Sequence, residues 1–407
     1  MRRLVIPLVL AVALAVAGAA YAAPSFVFRG HGWGHGIGMA QYGAYGFAQE
    51  GWDYEKILAH YYRGTTLGPA PTSKIRVLLA SGRRSLEIGS ASPFTVKDAT
   101  GFSATLGPGP VDVGTGLTLT VGGEAKVLEP PLRFSPGKSP LELGKPYRGS
   151  IVVTLVDGRI QAVNNLNLEK YLYGVVPGEM SSSWHPEALK TQAVAARTYA
   201  LVSRKTDGSF DVFADTRSQV YDGIQVEKAK TNAAVNATRG KVVLYNGELA
   251  WTFYSASSGG RTAAIQQVWP DSEPVPYLVS VKDPHDDISP YHDWGPLTFT
   301  VKQLAAKLGS RLPAGLKKLE VKSNRWGRAQ TVIAVGKNDS KEISGWDMRI
   351  LLGLRSTWFT VEVVGNEPAT GRAGRFGGAD RGGDGVTHRI RRPELGLETN
   401  SAGPQQV

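Results

Sequence analysis

Residues Asn165–Lys205 read NLNLEKYLYGVVPGEMSSSWHPEALKTQAVAARTYALVSRK, and this stretch joins one carboxylate at a tight turn to the longest helical pattern in the chain. Pro186 suits a first helical position, where its missing N–H costs nothing, and Glu187 favours the positive end of the helix dipole. Nothing from there to Lys205 breaks a helix of about 20 residues, roughly 30 Å long. Leu189, Ala193, Ala196, Ala200 and Ser203 share one narrow stripe at the 3.6-residue period. Four of these five are small, so another backbone can approach closely, and the spacing predicts a central buried helix. Arg197 borders the stripe on one side, with Gln192 and Tyr199 on the other, and all three can look past the core toward the helix start. The alternative for Arg197 is a paired structural arginine.

Ahead of the helix, Val175-Val176-Pro177-Gly178-Glu179-Met180 is an apolar run turned by Pro-Gly into a carboxylate, followed by Ser181, Ser182 and Ser183. A carboxyl set between apolar neighbours and hydroxyl donors tends to keep its proton to higher pH, as a general acid near neutrality requires. The plainer reading is an exposed turn glutamate.

The run LEKYLYGVVPGEMSSSWHPEALKTQAVAARTYAL resembles the SpoIID/LytB family, the stage II sporulation protein D and amidase-enhancer proteins of bacterial cell walls. The resemblance continues through DTRSQVYDG, ATRGKVVLYNGELAWTFYSASSGGRT and SGWDMRILLGLRSTWF, covering most of Tyr147–Phe359. It implies that peptidoglycan glycan is the substrate, that the sporulation-type members are lytic transglycosylases, and that Glu179 is the catalytic residue. The enhancer half of the family implies a cell-wall amidase as partner.

Nearer the N-terminus, FVFRGHGWGHGIGMAQYGAYGFAQEGW opens with a short strand and a glycine-rich loop. Gly30, Gly32, Gly34, Gly36 and Gly38 let backbone approach a ligand, and Trp33, Tyr42 and Tyr45 have the rings to stack on sugars. The family carries this glycine-histidine motif after the glutamate region, whereas here it precedes it. The resemblance would bring His31, Trp33, His35, Met39 and Gln41 into one cleft with Glu179. His31 and His35 have a spacing used by paired zinc ligands, but a run so rich in glycine lacks the helical frame that gives this spacing its meaning. Some members of the family carry a His/Cys zinc site near DTRSQVY. Here Asp215–Tyr221 holds neither residue, so no metal and no cofactor is expected.

Strand-like runs separated by Gly, Pro and Asp turns fill Lys74–Ile160 and predict a β-rich lobe. Asn246-Gly247 predicts a type I′ hairpin between KVVLY and ELAWTFYSAS. That hairpin delivers Ser255-Ala256-Ser257-Ser258-Gly259-Gly260-Arg261, in which Ser257, Ser258 and Arg261 could meet sugar hydroxyls and acetamido groups, or could form an ordinary polar turn. Gln219 and Tyr221 lie in a polar, aromatic loop and are further candidates. Asp211, Asp215 and Asp222 are available as a second carboxylate for hydrolysis.

The expected fold is therefore α+β, a mixed, β-rich lobe packed around a long central helix, with a substrate cleft. Its parts are a signal peptide at 1–22, a glycine-histidine segment at 25–68, the β-rich lobe at 73–145, a core domain at 146–365 and a disordered tail at 366–407. The leader has two arginines, an apolar run and a small-residue Ala20-Tyr21-Ala22 pattern, with an uncleaved anchor as its alternative. It points to the outer face of the membrane or the wall. With no cysteine, disulfides, thiolate metal sites and cysteine-linked lipids are excluded. The formal net charge is +11, and removing Arg2 and Arg3 leaves +9, a field that draws a protein to anionic wall polymers. No recognised nucleic-acid motif accompanies the charge, so nucleic acid is not an expected partner.

Overall fold

A computed structural model of the protein describes residues 24–205 and 208–365. The expected signal segment and tail lie outside the described residues. Two compact units divide the rest, one of residues 24–30 with 295–365 and one of residues 31–294. The described residues mix helix with a majority of strands, as the sequence predicts. Among them, no helix is long and apolar enough to cross a membrane.

The larger unit carries every candidate site residue. Its helices are Gln41–Gln49 (α1), Tyr54–Tyr61 (α2), Leu168–Tyr173 (α3), Val176–Glu179 (α4), Pro186–Val202 (α5) and Ala229–Ala237 (α6). The expected helix to Lys205 stops three residues early. Ser203 caps it, with its backbone N–H and its hydroxyl both turned back on the Tyr199 carbonyl. At the other end His185 Nδ1 accepts the Glu187 N–H at 3.3 Å. Of the small stripe, Ala193, Ala196 and Ala200 are buried among Ile75, Val77, Tyr171, Leu172 and Val242, while Ser203 is half-buried. A larger residue at Ala196 would overpack this contact, at about 1–3 kcal/mol.

Seven strands form the main sheet, in the order Val212–Phe213, Lys74–Arg83, Arg159–Asn167, Ser150–Val156, Leu132–Ser135, Phe94–Lys97 and Ser103–Leu106. Period-two alternation turns Phe94, Val96, Leu132, Phe134, Ile151 and Val153 into one apolar core. The predicted hairpin is present, with Asn246 and Gly247 both at positive φ, 51° and 85°, as a type I′ turn requires.

The smaller unit has two three-stranded sheets. One orders residues 295–300, residues 25–30 and Phe359–Val364, and Phe28 packs edge-on against Phe299 there. The other is the meander Lys318–Ser323, Ala329–Val335, Ser340–Ser344.

Candidate functional site

Glu179 is the last residue of the one-turn α4. Val175, Val176 and Met180 are buried and anchor this turn, while the Glu179 side chain between them keeps part of its surface exposed. Met180 is already extended, so the chain leaves the helix directly after the carboxylate. Gln41, the first residue of α1, donates from Nε2 to Glu179 Oε2 at 3.2 Å and to Gln192 Oε1 at 3.4 Å. Gln41 and Gln192 are buried, and Gln192 Nε2 has no hydrogen-bond partner among the described residues. Gln41 thus links the Glu179 carboxylate to Gln192 on α5.

Three phenols lie within reach of the Glu179 charge. Burial, reinforced by the Glu179 charge, pushes the Tyr254 hydroxyl well above the ordinary tyrosine range and Tyr199 up to about 12. Tyr171 is raised too, by burial first and then by Tyr221 and Glu179. All three therefore stay neutral at physiological pH and can donate hydrogen bonds without adding charge. Gln219 ties two of them together: its Oε1 accepts from Tyr171 at 3.2 Å, and its Nε2 donates to the Tyr254 oxygen at 2.9 Å and to the Ala196 carbonyl at 3.3 Å. Gln219 is buried, so it positions phenols and has no surface to offer a ligand.

The glycine-histidine loop serves a different contact from the one expected. Its glycines approach protein backbone: a Cβ on Gly32 would lie 2.7 Å from the Ser257 carbonyl oxygen, and one on Gly38 only 2.2 Å from the Phe253 carbonyl oxygen. Both also sit at positive φ, which leaves glycine as the unstrained choice. The loop is clasped to 253–263 by bridges from Trp33 to Ser257 and from Ile37 to Ala263, and by Met39-Ala40 running parallel to Tyr254-Ser255. That clasp is what delivers Gln41 to Glu179.

Several further candidates are buried and bonded within the protein. Met39 is fully buried. His35, 3% exposed, accepts the Ile37 N–H at Nδ1 and packs between Phe253 and Trp269. Tyr221 donates to Asn164 inside the core. Arg197 takes the structural alternative: it is fully buried, paired with Glu169, and bonded to the carbonyls of Val235 and Lys241. Ser257 and Ser258 turn inward to Asp286, which accepts the Ser257 hydroxyl at 2.6 Å and the N–H groups of Ser258 and Gly259 at 3.0 and 2.8 Å. Arg261 is half-buried and bridges Lys282 through its backbone. His31 is exposed beside Asp293, so the two histidines of the motif do not share a site. Among the described residues, no group of three or more His, Cys, Asp or Glu side chains is arranged to hold a metal ion.

The aspartates considered as a second carboxylate are each held in ion pairs. Asp211 is clamped by Arg76 and Arg204, Asp215 by Arg217 and Asp222 by Lys145.

A row of partly exposed rings passes the Gln41 end of the site. Trp33 meets Tyr291 edge-on at 4.2 Å, Tyr291 reaches Tyr42 at 6.1 Å, Tyr42 meets Trp184 at 4.7 Å, and Trp184 stacks on Tyr45 at 4.7 Å. Trp184, Tyr291 and Tyr254 are absent from the sequence-based candidates. Only Trp184 had a clue, two residues ahead of Pro186.

The sequence model of the stage II sporulation protein family, SpoIID, matches residues 156–245. Stage II sporulation protein D of Bacillus amyloliquefaciens is 34% identical over 255 residues, 58% of this chain and 68% of that protein. The chain belongs to the SpoIID/LytB family. Within this family it is also similar to stage II sporulation protein D of Bacillus subtilis (strain 168), 32% identical over 216 residues, 49% of this chain and 61% of the relative. An amidase enhancer of the same organism is 46% identical over 136 residues, 33% of this chain but only 18% of the enhancer. The SpoIID/LytB chain thus spans less than two thirds of both Bacillus subtilis relatives.

Proposed function

We propose that this SpoIID/LytB protein cleaves the glycan strands of peptidoglycan as a lytic transglycosylase, with Glu179 as acid and then base. The observation that carries the reading is the Gln41–Glu179 hydrogen bond, which joins the glycine-histidine loop to the family's glutamate turn. Glu179 protonates the bridging oxygen as the bond from the muramic-acid anomeric carbon breaks. The carboxylate so formed takes the proton from the same sugar's 6-hydroxyl, whose oxygen closes a 1,6-anhydro ring, and Glu179 ends protonated again. One carboxyl serves both steps, with no water consumed. The ion-paired state of Asp211, Asp215 and Asp222 supports this route over a glycosidase that needs two working carboxylates. Neutral phenols near Glu179 put no like charge beside the carboxylate that develops on it. The leader pattern and basic charge support export to the wall.

A second reading, a non-catalytic glycan-binding protein that stimulates a separate cell-wall amidase, draws on the 46% identity to the amidase enhancer. Digesting purified glycan strands, with and without attached peptides, and weighing the products separates the two. Anhydro ends from the parent protein and none from Glu179→Gln support the transglycosylase. No anhydro ends from the parent, with amidase stimulation intact in Glu179→Gln, supports the enhancer.

A further inference from the structure

Gln192 lies on α5 and is fully buried. Its Oε1 accepts from Gln41 Nε2 at 3.4 Å, and its Nε2 has no hydrogen-bond partner among the described residues. Buried amides are ordinarily paired, and an unpaired one lowers stability. Leucine or methionine would fill the same place on the helix without that cost. Packing therefore does not account for a glutamine here, and the bond to Gln41 points to its role.

The Gln41 amide nitrogen carries two hydrogens, and two acceptors take them: Glu179 Oε2 at 3.2 Å and Gln192 Oε1. A side-chain amide can turn over and exchange its nitrogen for its oxygen. Turned over, Gln41 would set its carbonyl against Glu179, opposing the carboxylate or drawing the acid's proton inward, away from a ligand. It would also set that carbonyl against Gln192 Oε1, so that two acceptors face each other. The turned-over amide is accommodated only if Gln192, enclosed in the core, turns over too. Gln192 is well placed to resist this, because α1, which begins at Gln41, and α4, which ends at Glu179, both pack on α5.

We propose that Gln192 is a positioning residue: acting through Gln41, it keeps an N–H on Glu179 Oε2, so that the proton exchanged with the glycan is carried on Oε1 in both steps. The proposal rests on the glycan-cleavage reading above and deepens it. The same oxygen gives the proton to the bridging oxygen and takes the next one from the 6-hydroxyl, and the carboxyl does not rotate in between.

The test removes the two amides singly and together. Gln192→Met and Gln41→Met, close in length and without amide groups, should each lower kcat for anhydro-product formation about tenfold, with KM little changed. The double variant should also lose about tenfold rather than about a hundredfold, since one amide acts only through the other. An N–H donated to a carboxylate favours its charged form. Each variant should therefore raise the Glu179 titration midpoint, followed by NMR of an isotope-labelled carboxyl, and the pair should raise it no further. Tyr171 on α3, Tyr199 on α5 and Tyr254 feel the same charge but stay neutral at physiological pH, so they do not blur the reading. The unfolding temperature of Gln192→Met should hold or rise, because an unpaired donor has been removed.

A loss of about a hundredfold in the double variant, or unchanged kcat and midpoint in Gln192→Met, overturns the proposal. So does a fall in unfolding temperature that accounts for the lost activity, which makes Gln192 a packing residue. If Gln192→Met does not fold, the parent decides. Its Gln192 amide signal should follow the Glu179 titration and cease to do so in Gln41→Met, and a signal that ignores the titration overturns the proposal. A parent that yields no anhydro ends overturns the glycan-cleavage reading and this role with it, even where the titration shows the amide contact intact.

Discussion

Glu179 and Asp286 are both carboxylates beside runs of serine, yet their surroundings are opposite. Asp286 is fully buried, and its oxygens are taken up by Ser257, two backbone N–H groups and His292. Glu179 keeps part of its surface, receives the Gln41 amide, and is followed by Ser181 and Ser183, which are exposed and bond to each other. A buried carboxylate filled with donors locks loops together; one at the end of a short helix, with solvent on one side, can exchange a proton with a ligand. The comparison teaches that a serine-rich neighbourhood says little about role until its direction is known.

The sharpest way to break this contrast is a pair of substitutions. Glu179→Gln should lower the rate of anhydro-product formation at least a hundredfold, because general acid–base catalysis contributes about 10²–10⁴-fold, while leaving unfolding free energy nearly unchanged. Strand digestion and denaturant titration of the same sample check both halves. Asp286→Ala should do the reverse in kind: it strands buried donors from Ser257, Ser258 and Gly259 and costs about 3–5 kcal/mol of stability, read from the denaturation midpoint. If Glu179→Gln proves to be the unstable variant, the two roles are exchanged.

Asp283 sharpens the structural side. It is buried, accepts the Tyr61 hydroxyl at 2.9 Å, and is raised from 3.8 to about 7 by burial and then by the charge of Asp286. A folded-state value above the unfolded one means that the native state holds the extra proton, so stability falls as pH rises from about 4 through about 7. Asp283→Asn should flatten that slope, a change of roughly 4 kcal/mol across the window, and unfolding curves at several pH values test it. An unchanged slope would mean that Asp283 ionises normally. The smallest effect is expected at Gln41→Ala, which removes the donor that orients Glu179 without removing the proton. A loss of about tenfold in kcat, with little change in KM, is the outcome to look for in steady-state kinetics. A pure KM effect would assign Gln41 to binding.

Much of the architecture is legible along the chain. Pro186 and the alanine stripe predict α5 nearly to its end, Asn246-Gly247 predicts its hairpin, and strand-like runs between Gly, Pro and Asp turns predict the sheet strands, because caps, turns and periods are local properties. The site is only partly legible. The segment containing Glu179 and the pairing with Gln41 follow from the family pattern, but Met39, His35, Tyr221, Ser257 and Ser258 turn inward. Glycines expected to admit a ligand instead admit the backbone of 253–259. Composition cannot distinguish these uses, since a glycine that makes room for a sugar and one that makes room for a peptide are identical in sequence.

What the sequence by itself determined is most of α5, the Asn246-Gly247 hairpin and the presence of a carboxylate between Val175-Val176 and Met180, although the segment read there as a turn is the short helix α4. Which groups meet that carboxylate was decided by the tertiary structure alone. Gln41 lies 138 positions from Glu179, and Tyr254 reaches the site through Gln219, 35 positions away. Such contacts depend on how the clasped loops and α5 close-pack, and on which side of each loop is left facing water. No single segment carries that information, because direction and burial arise only when all of them are assembled.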